Sequence, residues 1–235
     1  MGIGRDEHAL RGRLRFALRV RHRRKRLRGR ALHPAAARSG HLVRALVRRG
    51  SENKIPTGAH AVLGDALDAA SYVDQIAPAR TLVHLVGTPH PNPLKAREFR
   101  EVDLVSIREA VQAATRAGVR HIVYMSVAQP APVMREYVAA RQHGEAIVRS
   151  SRIAATLLRP WYVVGPGHRW PYVLKPLYAL LERLPATRDA ALRLGLVTQR
   201  EMLCALVDAV EHPPGEVRIV AVPEIRASCE AQGQS

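Results

Sequence analysis

Thr81-Leu82-Val83-His84-Leu85-Val86-Gly87 and His121-Ile122-Val123-Tyr124-Met125-Ser126 are short apolar runs, each closed by a small residue. Between them, Phe99, Val102, Val105, Ile107 and Val111 recur among charges from Pro93 to Ala117, a helical period that stops at Gly118. Strand, long crossover helix and strand make a βαβ unit, which builds a parallel sheet. Working outward, Leu42 to Val47 and Ala61 to Leu63 read as earlier strands, the latter ending at Gly64-Asp65. Tyr137 to Val148 reads as a helix ending at Ser150-Ser151, and Ala154 to Leu158 as the next strand. A Gly165-Pro166-Gly167 loop follows, then helices over Pro171 to Leu184 and Arg200 to Glu211 and a last strand over Val217 to Val222. The polar end, 228–235, reads as a disordered tail. The fold class is therefore α/β, a doubly wound parallel sheet with a small C-terminal cap.

With 235 residues and 47% of them hydrophobic, one substantial core is favoured over two small ones. The formal charge of +17 is concentrated at one end: residues 1–50 carry +14 and the rest only +3. A basic partner-binding surface therefore belongs to the leader alone. Two cysteines, Cys204 in an apolar helical pattern and Cys229 in the polar end, are too few for a disulfide framework and point to a reducing cytoplasm. No window is apolar over the length a membrane helix needs, no apolar signal segment opens the chain, and the histidines are scattered without the pairing a zinc site needs. Neither a metal nor a membrane partner is expected.

From Leu42 to Arg226 the chain resembles the atypical short-chain dehydrogenase/reductases, in the NmrA-like and nucleoside-diphosphate-sugar epimerase-like branch. The residues carrying the resemblance are Val43-Arg44-Ala45-Leu46-Val47-Arg48, Gly64-Asp65-Ala66-Leu67-Asp68, His84-Leu85-Val86-Gly87, Tyr124-Met125-Ser126, Tyr137 with Arg141, and Leu158-Arg159-Pro160-Trp161. It implies a Rossmann domain over 42–227 that holds NADP or NAD and acts on a small-molecule substrate.

Such a domain opens with a strand, a glycine-rich turn and a helix whose N-terminus faces the pyrophosphate. In their place stands Arg21-His22-Arg23-Arg24-Lys25-Arg26-Leu27-Arg28-Gly29, whose charges cannot fill a buried central strand. The first βα unit thus reads as missing or scrambled, and 1–41 as a basic leader. Codons permitted for Arg21 to Gly29, read one base later, spell Val-Thr-Gly-Ala-Ser-Gly-Tyr-Val-Gly, and an apolar helix can follow up to Gly40. A frameshifted translation of an ordinary nucleotide-binding opening is the favoured explanation. A nucleic-acid-binding arm and an organellar transit peptide are its rivals.

The resemblance assigns roles, and each residue has a plainer alternative. Arg48 or Arg49 matches the basic residue that holds the 2′-phosphate of NADP, or is a solvated arginine at a strand end. Asp65, with Ala66, matches the position beside the adenine, or Asp65 caps the following helix. Val86 and Gly87 stand where backbone approaches the dinucleotide, or Gly87 starts a turn. Pro160 and Trp161 flank nicotinamide and substrate, or Trp161 covers the core. Ser126, Tyr137 and Arg141 match a serine and Tyr-x-x-x-Lys set, with Arg in place of Lys. Tyrosine, with a reference pKa of about 10, needs a neighbouring cation to transfer protons near neutrality. Spacing i to i+4 puts Arg141 on its helical face, but with different donor geometry from Lys. The apolar stretch from Trp170 to Leu184 reads as the variable substrate cap, its character favouring a lipophilic substrate or none over a highly charged one. Three function classes follow: a redox or epimerase-type enzyme, a cofactor-holding protein without turnover, and a nucleic-acid binder acting through the leader.

Overall fold

The computed structural model describes residues 14–18, 41–52, 55, 58–88, 91–131, 133–165, 183 and 188–232. In chain order the strands are β1 (Leu14–Leu18), β2 (Leu42–Val47), β3 (Ala59–Leu63), β4 (Thr81–His84), β5 (His121–Met125), β6 (Ala154–Leu158), β7 (Tyr162–Val164), β8 (Leu196–Thr198) and β9 (Val217–Val220). Seven of them form one sheet in the order β3-β2-β1-β4-β5-β6-β9, every neighbouring pair parallel. β7 and β8 form a separate parallel pair. The chain winds outward from β1 in both directions, which makes the β1/β4 boundary the point where strand order reverses.

The expectation of a missing first strand is corrected. β1 occupies the central place, with Leu14 beside Leu42 and Leu18 beside both Leu46 and His84. Leu14-Arg15-Phe16-Ala17-Leu18 is a short apolar island inside an arginine-rich stretch, and five residues suffice for a strand paired on both edges. The sheet therefore begins upstream of residue 42. The charged run Arg21 to Gly29 and the segment onward to Gly40 lie outside the described residues. So does the expected helix and cap over Trp170 to Leu184, apart from Arg183.

Helices α1 (Val105–Arg116), α2 (Arg135–Ser150), α3 (Arg188–Arg193), α4 (Gln199–Glu211) and α5 (Val222–Gln232) pack around the sheet. Adjacent residues on one strand point to opposite faces. Leu82, Ile122 and Leu157 join Ile107, Ala110 and Val148 on one side; Val83, Val123 and Leu158 join Met202, Leu206 and Ile225 on the other. Ile107, Ile122 and Leu157 are fully buried, each contributing roughly 2 kcal/mol. α1 faces the sheet with Ile107, Ala110, Ala113 and Ala114, and the chain leaves it through Gly118 at φ +68°, the left-handed conformation glycine adopts without penalty. Upstream, the single helix expected from Pro93 is divided. A tight turn over Pro93–Lys95, capped by the Asn92 side chain accepting from Leu94 N at 3.0 Å, leads through Ala96–Glu98 into a wide π turn, Phe99–Leu104. Thr198 and Glu201 close a reciprocal cap on α4.

The chain's end differs from expectation as well. In place of a tail from Ser228, α5 continues to Gln232, and Cys229 on it forms a disulfide with Cys204 on α4. Cysteines 25 residues apart in sequence meet because these two helices pack side by side. Composition alone, with its polar end and only two thiols, does not show that contact.

Candidate active site

A parallel sheet delivers all its strands' carboxyl ends to one edge, where ligands bind in open α/β folds. From β4 the chain continues into Leu85, Val86, Gly87 and Thr88, from β5 into Ser126, and from β6 into Arg159, Pro160 and Trp161. Backbone bonds extend the ladder past the strand ends. Ser126 N donates to Leu158 O at 2.8 Å and Ala128 N to Pro160 O at 3.0 Å. Gly87, Ser126 and Pro160 thus stand at the ends of three adjacent strands on the same edge.

Arg141 ties this edge together from α2. Its Nη1 donates to Met125 O at 2.9 Å and to Val86 O at 3.3 Å, and its Nη2 to Asp103 Oδ1 at 2.6 Å. The two charged side chains are only 4% and 1% exposed. Burial disfavours the guanidinium's charge, but Tyr137 and Asp103 outweigh it and hold the group protonated well above its ordinary range. Asp103, carried by the π turn, also accepts from Thr88 N at 2.8 Å and Thr88 Oγ1 at 2.5 Å. A buried charge needs such saturation of its partners.

Gly87 has an intramolecular reason for being glycine. A Cβ there would lie 1.9 Å from Arg141 Nη2, so the glycine makes room for the guanidinium. Tyr137 is half-buried, its ring centroid 5.2 Å from that of Phe99 and 5.3 Å from Arg141 Cζ. The expected pairing of Tyr137 with Arg141 is therefore present, with the cation over the ring face. Behind it, burial pushes the Tyr124 phenol up to about 12 against the pull of Arg141, and burial with Arg141 pushes the His84 imidazole down to about 3.

Ser126 is 3% exposed and donates its hydroxyl to Glu145 Oε1 at 2.5 Å. Glu145 also receives Gln129 Nε2 at 2.7 Å and the Arg159 guanidinium at 2.8 and 2.5 Å. Asp103, Glu145 and Arg159 were absent from the sequence-based set. For Glu145 a signal existed: Tyr137, Arg141 and Glu145 follow at i, i+4 and i+8, one stripe of α2. For Asp103 none did, since its partners come from β4 and α2.

At the far end of the edge, Arg48 and Asp65 meet each other. Arg48 Nη2 lies 3.3 Å from Asp65 Oδ1, with both side chains about half exposed. Asp65 Oδ1 also accepts from Leu67 N at 3.1 Å across a turn; the helix expected near Ala66 does not start there, and the first helical turn that follows, Ala69–Ser71, is capped by Asp68 instead. Arg49 is exposed beside Arg48, whereas the Ala66 and Val86 side chains belong to the core. Trp161 is half-buried and packs edge-on against Tyr162 at 5.5 Å between centroids. Among the described residues no group of three or more His, Cys, Asp or Glu gathers to hold a metal ion, and no helix is long and apolar enough to cross a membrane.

Comparison with known proteins agrees with this geometry. Residues 28–170 match the NAD(P)H-binding family. A ceramide reductase from Caulobacter vibrioides is 32% identical over 188 residues, covering 79% of this chain and 58% of that protein. The chain thus spans less than two thirds of that relative. Among solved structures, a short-chain dehydrogenase/reductase superfamily protein from Agrobacterium tumefaciens with bound NAD shares the fold at TM-score 0.63 and 19% identity, over 88% of this chain and 77% of that one. UDP-glucuronic acid 4-epimerase from Bacillus cereus in complex with NAD does so at TM-score 0.61 and 14% identity, over the same shares of the two chains. With a parallel sheet wound outward from β1 and a family match across most of its strands, the chain belongs to the NAD(P)H-binding family.

Proposed function

We propose that the chain is a nicotinamide-dependent oxidoreductase that interconverts a carbonyl and an alcohol on an apolar small molecule. The observation carrying this reading is the gathering of Gly87, Ser126 and Pro160 at three adjacent strand ends, with Tyr137 and Arg141 beside them. The donor chemistry suits a dinucleotide. Arg48 and Arg49 offer exposed guanidiniums to a 2′-phosphate, which favours NADP over NAD, and Asp65 offers a carboxylate oxygen to an exocyclic amine. When bound, the cofactor supplies or accepts hydride. Toward it, Val86 and Gly87 contribute backbone, while Pro160 and Trp161 wall the nicotinamide end. Tyr137 holds the proton exchanged with the substrate oxygen.

An apolar substrate is supported by Leu94, 95% exposed, and Val133, 52% exposed, which precede Phe99 and Tyr137 on the two segments that meet at the site. The named activity of the Caulobacter relative points the same way. The proposed location is the cytoplasm, where reducing conditions would open the Cys204–Cys229 bond, so its state in cells reports the compartment. The test is oxidation of NADPH and of NADH with long-chain ketones. Turnover with NADPH supports the reading, and cofactor binding without turnover on any ketone overturns it.

That second outcome corresponds to a rival reading, a cofactor-holding protein without turnover, favoured by one observation. The Arg141 charge is already neutralised by Asp103 at 2.6 Å. Its guanidinium is further committed to the Met125 and Val86 carbonyls, so it does not stand as a free cation beside Tyr137.

A further inference from the structure

We infer that Glu145 is a positioning residue that turns Ser126 into a hydrogen-bond acceptor toward the ligand, so that the site selects the alcohol over the matching carbonyl. The inference rests on the proposed function in one respect only, that Ser126 faces the substrate oxygen.

A serine hydroxyl has one proton to give and two lone pairs to offer. Here the proton is committed. Ser126 Oγ donates to Glu145 Oε1 at 2.5 Å, and both residues are less than 5% exposed, so water does not compete for it. Among the described residues, each group bonded to Glu145 is a donor to it. Gln129 Nε2 reaches Oε1 at 2.7 Å, Arg159 Nε reaches Oε1 at 2.8 Å, and Arg159 Nη2 reaches Oε2 at 2.5 Å. A two-point guanidinium contact of this kind requires the ionised carboxylate, which only accepts.

The arrangement spans four segments. Ser126 follows β5, Gln129 lies in the loop after it, Glu145 belongs to α2, and Arg159 follows β6. The rotor of Ser126 is thereby fixed by three elements other than its own. A ligand reaching Ser126 Oγ meets lone pairs. A hydroxyl or an N–H satisfies them, whereas a carbonyl oxygen sets acceptor against acceptor. Tyr137 is then the sole donor of the pair for a carbonyl, while an alcohol can donate to Ser126 and accept from Tyr137 at once.

The test has two arms on the full chain. In the ligand-free protein, proton magnetic resonance is expected to show a slowly exchanging, strongly downfield hydroxyl resonance that Ser126→Ala removes. Ser126→Ala leaves the Glu145–Arg159 pair intact and is the variant of choice where Glu145→Gln fails to fold. Absence of that resonance overturns the inference whether or not the chain is an oxidoreductase. In the second arm, 2-dodecanol and 2-dodecanone are titrated against the protein saturated with a tetrahydronicotinamide analogue of NADPH, which exchanges no hydride, so that neither probe turns over. The wild type is expected to bind the alcohol about tenfold more tightly than the ketone, the net value of one hydrogen bond. Ser126→Ala should erase that preference, and Glu145→Gln, whose amide can donate to Ser126 and release its proton, should reverse it. Equal binding of both probes by the wild type overturns the inference. The resonance present with neither probe bound overturns instead the placement of substrate at Ser126, and with it the proposed function.

Discussion

Replacing Gly87 by alanine tests whether the Arg141–Asp103 pair shapes the sheet edge. The added methyl would lie 1.9 Å from Arg141 Nη2 and 3.0 Å from Asp103 Oδ1. Ordinary contact requires the guanidinium to withdraw by about 1.5 Å. It cannot do so freely, because Asp103 holds Nη2 at 2.6 Å while the Met125 carbonyl holds Nη1 at 2.9 Å. Withdrawal breaks a buried ion pair, at a cost of roughly 3–5 kcal/mol. In a background carrying Asp103→Asn and Arg141→Met the clash and the charges are both gone, and Gly87→Ala should cost less than about 1 kcal/mol. Urea unfolding of the four proteins measures the coupling. A cost below about 1 kcal/mol in the wild type, or the same cost in both backgrounds, would refute the reasoning.

Other outcomes follow from single features. Arg48→Ala should weaken NADPH binding by ~10- to 100-fold, the worth of a charged contact to phosphate, and leave NADH unchanged; equal losses for both would remove Arg48 from the site. Reducing the Cys204–Cys229 bond, whose cysteines are 25 residues apart, should lower stability by roughly 3–4 kcal/mol in chain-entropy terms. Unfolding with and without reductant checks this, and coincident curves would contradict it. His84, buried and pushed down to about 3, stays neutral in the folded protein and takes up a proton on unfolding below pH 6.5. Its stabilising contribution is complete above that pH and is lost as pH falls toward 3. The slope approaches ~1.4 kcal/mol per pH unit, and His84→Leu should flatten the curve between pH 6 and 4.5.

The strands β2, β4, β5 and β6 were legible because each is a short apolar run ended by a polar or small residue, and pleating needs little more. β1 was not, since Leu14 to Leu18 sits among arginines and only its pairing with β2 and β4 marks it as central. Ser126, Tyr137 and Arg141 could be placed at one edge by counting strands and helical turns. The partners that decide their chemistry could not. Asp103 reaches Arg141 across 38 residues and Arg159 reaches Glu145 across 14, contacts set by how α2 lies on the sheet. Gly87 acquires a second meaning for the same reason: the glycine that sequence assigns to a ligand's approach also makes room for a guanidinium. The disulfide was hidden likewise, because only the packing of α4 against α5 brings its cysteines together.

Hydrogen exchange of the full chain, with and without millimolar NADPH, addresses the placement of the dinucleotide most directly. Slowed exchange in the carboxyl-edge segments 85–88, 126–130 and 159–162, together with the adenine end around 48–50 and 64–66, is the expected result. Slowing at the opposite edge, around Gly118 to Arg120 and Arg152 to Ile153, with none in those segments, would contradict it.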